Sequence, residues 1–293
     1  MTWLITGAAG QLGSAMRSDL DSRGLPYVAM NSGELDITDP KSVEHAVRSC
    51  QPTVIINCAA WTDVDGAEIN ITKAQNINAI GPKNLALASK RVGAKFVQIS
   101  TDYVFSGTSA KPWQENAERN PISAYGQTKR DGEDHVQIAY PDGSYIVRTA
   151  WLYSALGKNF AKTILSAAIL SEDEIRVVSD QSGQPTSAND LAKQISNLVL
   201  SNAPCGIYHG TNSGQTTWFE FAQKIFLFAN ANPTRVVPIS SSELSRRAKR
   251  PQYSVLGHDS WQFTGLAAMR NWEIALGDEL TTMILKLKQE SSK

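Results

Sequence analysis

Metal ligands and bridging thiols are scarce in this chain, whose 293 residues hold four histidines and three cysteines. Cys50, Cys58 and Cys205 lie far apart, in neither metal-ligand nor redox spacing. An odd number at such separations argues against a disulfide framework and fits a reducing compartment. His45, His135, His209 and His258 show no ligand spacing either. Charge of one sign is also lacking, since Lys+Arg and Asp+Glu number 28 each. Without a basic excess the chain has no broad field for nucleic acid or an anionic membrane, so an anionic ligand must be held by local geometry. No apolar run approaches the roughly 20 residues that a bilayer-spanning helix needs. The start, Met1-Thr2-Trp3-Leu4-Ile5, has no positive leader and turns at once into Gly7. Asn70-Ile71-Thr72 matches a glycosylation sequon, but no secretory signal accompanies it. These absences predict a cytoplasmic protein without nucleic-acid or membrane partners.

What is present is an alternation. Strand-like runs rich in β-branched and aromatic residues span Thr2 to Thr6, Tyr27 to Met30, Thr53 to Cys58, Lys95 to Ser100 and Tyr145 to Thr149. They carry little period-2 polarity, as strands buried on both faces of a parallel sheet do. Between them apolar residues recur at helical spacing: Leu12, Ala15, Met16 and Leu20; Val43, Ala46 and Val47, opened by Asp39-Pro40; and Leu85, Ala86, Ala88 and Val92. The pattern predicts an α/β fold, a doubly wound Rossmann-type parallel sheet over residues 1–150. After residue 150 the rhythm loosens. Helices are expected around Phe160 to Leu170, Asp190 to Leu200, Trp218 to Phe228 and Glu279 to Leu287, with strand-like Ile175 to Val178 and Ile207-Tyr208 between them. Residues 151–293 read mainly as a smaller α/β substrate-binding lobe, from which segments can return to the first domain. The end, Glu290-Ser291-Ser292-Lys293, is polar.

The first strand runs into Gly7-Ala8-Ala9-Gly10-Gln11-Leu12-Gly13 and then a helix. A tight turn at the first glycine, close diphosphate approach at the second and helix–strand packing at the third are what a dinucleotide loop requires. The helix-start N–H groups then hold the anion without a lysine. After the second strand, Met30-Asn31-Ser32-Gly33 offers neither a clear acid for a ribose 2′-hydroxyl nor an arginine for a 2′-phosphate, so NADPH and NADH both stay open.

Ser100-Thr101-Asp102-Tyr103-Val104-Phe105 closes a buried strand at the end where open α/β sheets bind ligands. Tyr125 and Lys129, four apart, share one helix face. A free phenol has a pKa near ~10, and a neighbouring ammonium is expected to lower it toward working pH. Thr101 could then hold a substrate oxygen while Tyr125 donates its proton. Thr101, Tyr125 and Lys129 are the expected catalytic triad.

The G-x-x-G-x-x-G spacing and the Y-x-x-x-K pair resemble the extended short-chain dehydrogenases, and the surrounding text resembles the dTDP-4-dehydrorhamnose reductase family among them. The resemblance rests on Gly10-Gln11-Leu12-Gly13, on Asn57-Cys58-Ala59-Ala60-Trp61-Thr62 with Val64-Asp65 and Ala67-Glu68, and on Ser100 to Phe105. Arg148-Thr149-Ala150-Trp151, Asp180-Gln181 with Gly183 and Pro185-Thr186, Gly206-Ile207-Tyr208-His209, Trp218 to Ala222, and Arg250-Pro251 with Ser254 and Leu256 extend it to nearly the whole chain. Gly66, where the family has lysine, and Gly257-His258 depart from it.

The resemblance implies reduction of a dTDP-linked 4-keto-deoxysugar by NADPH or NADH, in polysaccharide biosynthesis, by a monomer or homodimer. It implies cofactor contacts from Gly7, Gly10, Gln11, Leu12, Gly13, Asn31, Asp36, Ile37, Ala59, Ala60, Trp61, Thr62, Ser100, Tyr125 and Lys129. Asp36 reads equally as a capping aspartate for the next helix. Substrate contacts fall to Val64, Thr101, Asp102, Tyr103, Tyr125 and Trp151. No metal is expected, because Ser14-Ala15 stands where a metal-binding relative carries acids. Two other readings follow from the same likeness: a non-catalytic regulatory subunit like that of methionine adenosyltransferase, and a sister reductase, epimerase or dehydratase of nucleotide sugars. Asp102-Tyr103, in place of an acid–acid pair, points away from dehydration. The basic run Arg246 to Arg250 reads either as a solvated loop or as a contact for the nucleotide's diphosphate.

Overall fold

The computed structural model describes residues 1–290, so all but the first residue of the polar end at 290–293 lies outside the described residues. In chain order the first half reads β1 (Trp3–Thr6), α1 (Gln11–Ser22), β2 (Tyr27–Met30), α2 (Pro40–Cys50), β3 (Val54–Asn57), α3 (Val64–Ile69), α4 (Ile71–Gln75), α5 (Gly81–Val92), β4 (Lys95–Thr101), α6 (Ala124–Ala139) and β5 (Ser144–Thr149). The second half continues with β6 (Leu152–Tyr153), α7 (Phe160–Leu170), β7 (Ile175–Val178), β8 (Ser182–Gly183), β9 (Thr186–Ser187), α8 (Ala188–Leu200), β10 (Gly206–His209), β11 (Thr216–Thr217), α9 (Trp218–Phe228), β12 (Val236–Ile239) and α10 (Trp272–Glu290).

Six strands form one parallel sheet in the order β10-β5-β4-β3-β1-β2. Every residue of β1, β3 and β5 is buried, the two-sided burial that strands with little period-2 polarity announce. Asp39 caps α2 through the N–H groups of Lys41 and Ser42, with Pro40 in the first turn, where its missing N–H costs nothing.

The sixth strand comes from beyond residue 150. β10 pairs with β5, and α8 lies on α1, so Leu191, Ile195 and Leu198 share a core with Trp3, Met16 and Leu20. The six-stranded sheet and its helices thus draw on residues 1–150 and on the returning segment 188–209, and Trp261 and Met269 pack into the same core. Much of the remaining second half gathers around a separate core, in which Leu165, Phe221, Phe226, Leu276 and Leu280 are fully or almost fully buried, beside the two-stranded parallel pair β7–β12.

Some elements differ from the sequence expectation. Residues 64–80 form α3, α4 and a π-helical turn, Asn76–Ile80, where the sequence predicted no helix. Gly66, Asn70 and Asn76 interrupt any apolar stripe there, but Asp63 caps α3 and buried Asn78 bonds both Trp61 and Thr128. β12 contains Pro238, a residue that argues against a strand, yet it has one partner strand and tolerates the missing donor at an edge. α10 begins at Trp272, a turn and more before the expected start near Glu279.

Candidate active site

The glycine loop has a different job at each glycine. Gly7 sits at φ +63°, and a Cβ there would lie 2.5 Å from the Ala59 nitrogen. At Gly13 a Cβ would come within 2.4 Å of the Gly7 carbonyl oxygen, which is how closely α1 packs on the turn. Gly10 is the N-cap of α1, has an ordinary φ of −75°, and its Cβ would meet nothing nearer than the Gly7 oxygen at 3.3 Å. No side chain caps α1, so its first-turn N–H groups have none of the usual side-chain acceptors.

Ala9 and Gly10 stand between two cavities. The larger, of about 580 Å³, gathers Gln11, Leu12, Ala60, Thr62, Val64, Ser100, Thr101, Asp102, Tyr103, Tyr125, Lys129 and Trp151. The smaller, of about 350 Å³, is lined by Gly7, Asn31, Asp36, Ile37, Ala59 and Ala60. All the residues expected at the site border one cavity or the other except Gly13 and Trp61. Gly13 is a packing contact. Trp61 turns aside, its indole N–H donating to the Asp63 carbonyl and the Lys73 ammonium lying 5.4 Å from its ring. The pair of spaces fits a dinucleotide, one half on each side of an uncapped helix start that a Cβ at Gly10 would crowd.

In the smaller cavity, Asn31 is committed to its own turn: Oδ1 accepts from Gly33 N at 2.8 Å, and its N–H donates to Glu34 at 2.8 Å. Asp36 accepts from the hydroxyl and the N–H of Thr38, and these bonds hold its carboxyl below the usual range. The cap of α2 is Asp39, so Asp36 is left facing the cavity rather than ending a helix.

In the larger cavity β4 delivers Ser100 and Thr101 at its carboxyl end, and α6 delivers Tyr125 and Lys129. Thr101 Oγ1 donates to Asp102 Oδ1 at 3.0 Å and accepts from Tyr103 N at 3.2 Å. Lys129, 4% exposed, donates to the Ile99 carbonyl at 2.6 Å. The expectation that Lys129 lowers the Tyr125 pKa is corrected here. Burial dominates both groups, pushing Tyr125 up to about 12 and Lys129 down to about 8. Tyr125 therefore keeps its proton across the neutral range, the state a proton donor needs. Asp102 is raised to about 6 by burial, and its Oδ2 has no partner among the described residues. Thr149, on the same wall, also has an unpartnered hydroxyl. Orphaned buried oxygens at a cavity wall mark places where a bound molecule supplies the missing bond.

Trp151 adopts φ +45°, a strained backbone for a side chain of its size. Its indole stacks on Trp218, with centroids 3.6 Å apart at 11°, and covers Gly183, where a Cβ would meet the ring at 2.5 Å. Trp218 and Lys158 also line the cavity, and the sequence had given neither a site role. Gln11 accepts from Asn159 at 3.0 Å and from Ser154 at 3.3 Å, fastening the start of α1 to the small lobe. No local signal marks that contact, because its partners lie more than 140 residues apart.

Residues 1–284 match the RmlD substrate binding domain. The chain belongs to that family. Among RmlD substrate binding domain relatives, a dTDP-4-dehydrorhamnose reductase of Streptomyces griseus is 46% identical over 286 residues, covering 96% of this chain and 93% of that protein. A dTDP-4-keto-6-deoxy-D-glucose reductase of Streptomyces niveus is 44% identical and covers 94% of each chain. A crystal structure of dTDP-4-dehydrorhamnose reductase from Bacillus anthracis in complex with NADP superposes with a TM-score of 0.91 at 40% identity, covering 96% of this chain and 99% of that one.

Gly66, read from sequence as a departure from the family, has a visible local setting. At Gly66 the Asp63 carboxylate lies 2.2 Å from where a Cβ would stand, the same carboxylate that caps α3. The basic run divides. Arg250 forms a bidentate pair with Asp65 at 2.9 and 2.6 Å, and Ala248 N joins the same carboxylate, whereas Arg246 is exposed and borders two further cavities.

Proposed function

We propose that this chain is an NADPH- or NADH-dependent reductase. It converts the C4 ketone of dTDP-4-dehydro-6-deoxy-L-mannose to the alcohol of dTDP-L-rhamnose, in nucleotide-sugar and polysaccharide biosynthesis. The observation that carries this reading is the convergence of Thr101, Tyr125 and Lys129 on one cavity with the glycine loop and Trp151. The reading is supported by relatives named as dTDP-sugar 4-ketoreductases and by a solved relative that holds NADP. The chain acts in the cytoplasm, without a metal, as a monomer or homodimer.

The bound dinucleotide supplies hydride. Gly7, Gly10, Gln11 and Leu12 receive its diphosphate, Asn31, Asp36, Ile37 and Ala59 its adenosine end, and Ala60, Thr62, Ser100, Tyr125 and Lys129 its nicotinamide end. Trp61 and Gly13 shape this site from behind. Thr101 orients the sugar's carbonyl oxygen, and Tyr125 delivers the proton that the reduced oxygen takes up. Asp102, with its free oxygen, reads a sugar hydroxyl, while Val64, Tyr103 and Trp151 bound the ring. In this reading residues 1–150 with 188–209 hold the dinucleotide, and the remainder of 151–293 receives the sugar nucleotide.

The test is incubation with dTDP-4-dehydro-6-deoxy-L-mannose and each reduced cofactor, following nicotinamide absorbance. Oxidation coupled to formation of dTDP-L-rhamnose is expected. Absence of turnover with both cofactors would return the chain to the regulatory-subunit reading.

A further inference from the structure

One buried charged cluster is not used by the chemistry above. Glu133, on α6, is fully buried and saturated with donors. Its Oε1 accepts from Ser100 Oγ at 2.5 Å and Arg148 Nε at 2.8 Å, and its Oε2 from Arg148 Nη2 at 2.7 Å and Arg119 Nη1 at 3.1 Å. Arg148 is itself fully buried and placed by sheet register, with Ser100 beside it on β4 and His209 on β10. Its remaining bonds go to the Glu115 carbonyl and the His209 ring. A buried ion pair so fully bonded is costly to desolvate and contributes little net stability, so its presence one wall behind a reaction site asks for a second explanation.

The geometry supplies one. Glu133 follows Lys129 by four residues, one turn along the same face of α6, and both are almost completely out of water. Lys129 has a single hydrogen-bond partner among the described residues, the Ile99 carbonyl, and Ile99 precedes Ser100, which Glu133 holds directly. An ammonium with one carbonyl for company in a low-dielectric site loses its proton unless a counter-charge stands near. Tyr103 after β4, Tyr125 on α6, Cys58 after β3, Asp102 after β4 and Lys158 line the same cavity, and Arg148 and Arg119 bind Glu133. Asp102 engages Thr101 through Oδ1 and makes no bond to Lys129, and the Cys58 thiol is pushed up to about 12 by burial, so it stays neutral. Glu133 is the carboxylate left to act, and the field it casts on Lys129 opposes the downward push of burial.

We infer that Glu133 is a positioning residue for Lys129: clamped by Arg148 and Ser100, its carboxylate is the buried counter-charge that keeps the ammonium charged and seated on the end of β4. Arg119 sets the strength of this effect, because it shares the same carboxylate from the protein surface, where Asp134 also holds it. The inference rests on the reductase reading for its importance to turnover, but not for its test.

The primary experiment titrates the unliganded protein carrying ¹³Cε-labelled lysine, with the Lys129 resonance assigned by its loss in Lys129→Met. Glu133→Gln keeps the shape and removes the charge, so the Lys129 midpoint should fall by about one pH unit or more. Arg119→Gln unmasks the carboxylate, so the midpoint should rise. A structural role alone would lower thermal stability and leave both midpoints where they are. If Glu133→Gln does not fold, Arg119→Gln decides alone, and an unmoved or lowered midpoint in that variant overturns the inference. The alkaline limb of kcat should follow the same two directions. A wild type that never turns over defeats the reductase reading, whereas a wild type that turns over with limbs unmoved in both variants defeats the inference about Glu133.

Discussion

Replacing Gly10 and Gly13 separately by alanine should split two losses that a disrupted loop would show together. At Gly13 the new methyl would sit 2.4 Å from the Gly7 oxygen and 2.7 Å from Ala8 Cα, both backbone atoms that cannot rotate away. Overpacking of that kind costs about 1–3 kcal/mol. For a chain of this size each kcal/mol lowers Tm by roughly 2–4 °C, so a fall of about 2–12 °C is expected. At Gly10 the nearest protein atom is 3.3 Å away and φ is −75°, open to any residue. Gly10→Ala should lower Tm by less than Gly13→Ala, because its one close contact is at 3.3 Å and its N-cap position disfavours alanine only modestly. The methyl would instead stand over the uncapped start of α1, where the diphosphate is proposed to lie. A tenfold or greater loss of NADPH affinity is expected, about 1.4 kcal/mol or more. Thermal unfolding with and without NADPH reads both effects at once, because ligand at about 100 times its Kd adds roughly 2.7 kcal/mol to the folded state. If Gly10→Ala kept the full NADPH-induced rise in Tm, the diphosphate would not lie at this glycine. If the apo Tm of Gly10→Ala fell as far as that of Gly13→Ala, the packing distances at the loop would be wrong.

Tyr125→Phe should lower kcat about 10²–10⁴-fold with NADPH affinity retained, measured by single-turnover hydride transfer and fluorescence titration, and an unchanged rate would remove Tyr125 as proton donor. Reductive turnover should decline as pH rises through about 8, where Lys129 gives up its charge, well before Tyr125 ionises near 12; a flat pH profile to 10 would contradict this. The same lysine has a folded-state pKa below its ordinary 10.5, so the folded protein binds fewer protons than the unfolded chain between about 8 and 10.5. Its contribution to stability therefore rises with pH across that window, and Lys129→Met should flatten the slope in chemical denaturation. Trp151→Ala should raise KM for the sugar nucleotide while leaving cofactor affinity nearly unchanged, since the ring stacks on Trp218 rather than on the glycine loop.

The large sheet was readable because its strands are short and rich in β-branched residues, most of them deeply buried, and because apolar stripes at helical spacing lie between the first four of them. Tyr125 and Lys129 were readable for a related reason: four residues on a helix is a distance, so sequence spacing stands in for geometry. What spacing could not carry is the field at the site. Lys129 beside Tyr125 suggested a lowered phenol pKa, but the depth at which α6 is buried decides the sign, and depth is a property of the whole packed structure. Nor could it show which strand closes the sheet. Gly206 to His209 reads as a strand on its own, but nothing local says that it lies against Ser144 to Thr149, some 60 residues earlier. Gln11 with Asn159, and Trp151 with Trp218, are likewise meetings of distant segments with no sequence periodicity to join them. Residues 64–80 were missed because their helices are held by capping and by buried Asn78 instead of by an apolar stripe.

The return of β10 to the large sheet has a consequence for how the chain can be divided. The chain leaves the large domain after β5, comes back as α8 and β10, and leaves again after His209. The small lobe is therefore hung from the sheet at separate points rather than trailing from one linker. Trp261 and Met269 return once more to the core under that sheet, so the lobe is joined to it by several chain crossings and cannot be removed as one contiguous piece. Cutting the chain at residue 150 would not release two halves. It would leave β5 as a raw sheet edge and bare the face of α1 that α8 covers, a fragment more inclined to join its neighbours than to stand alone.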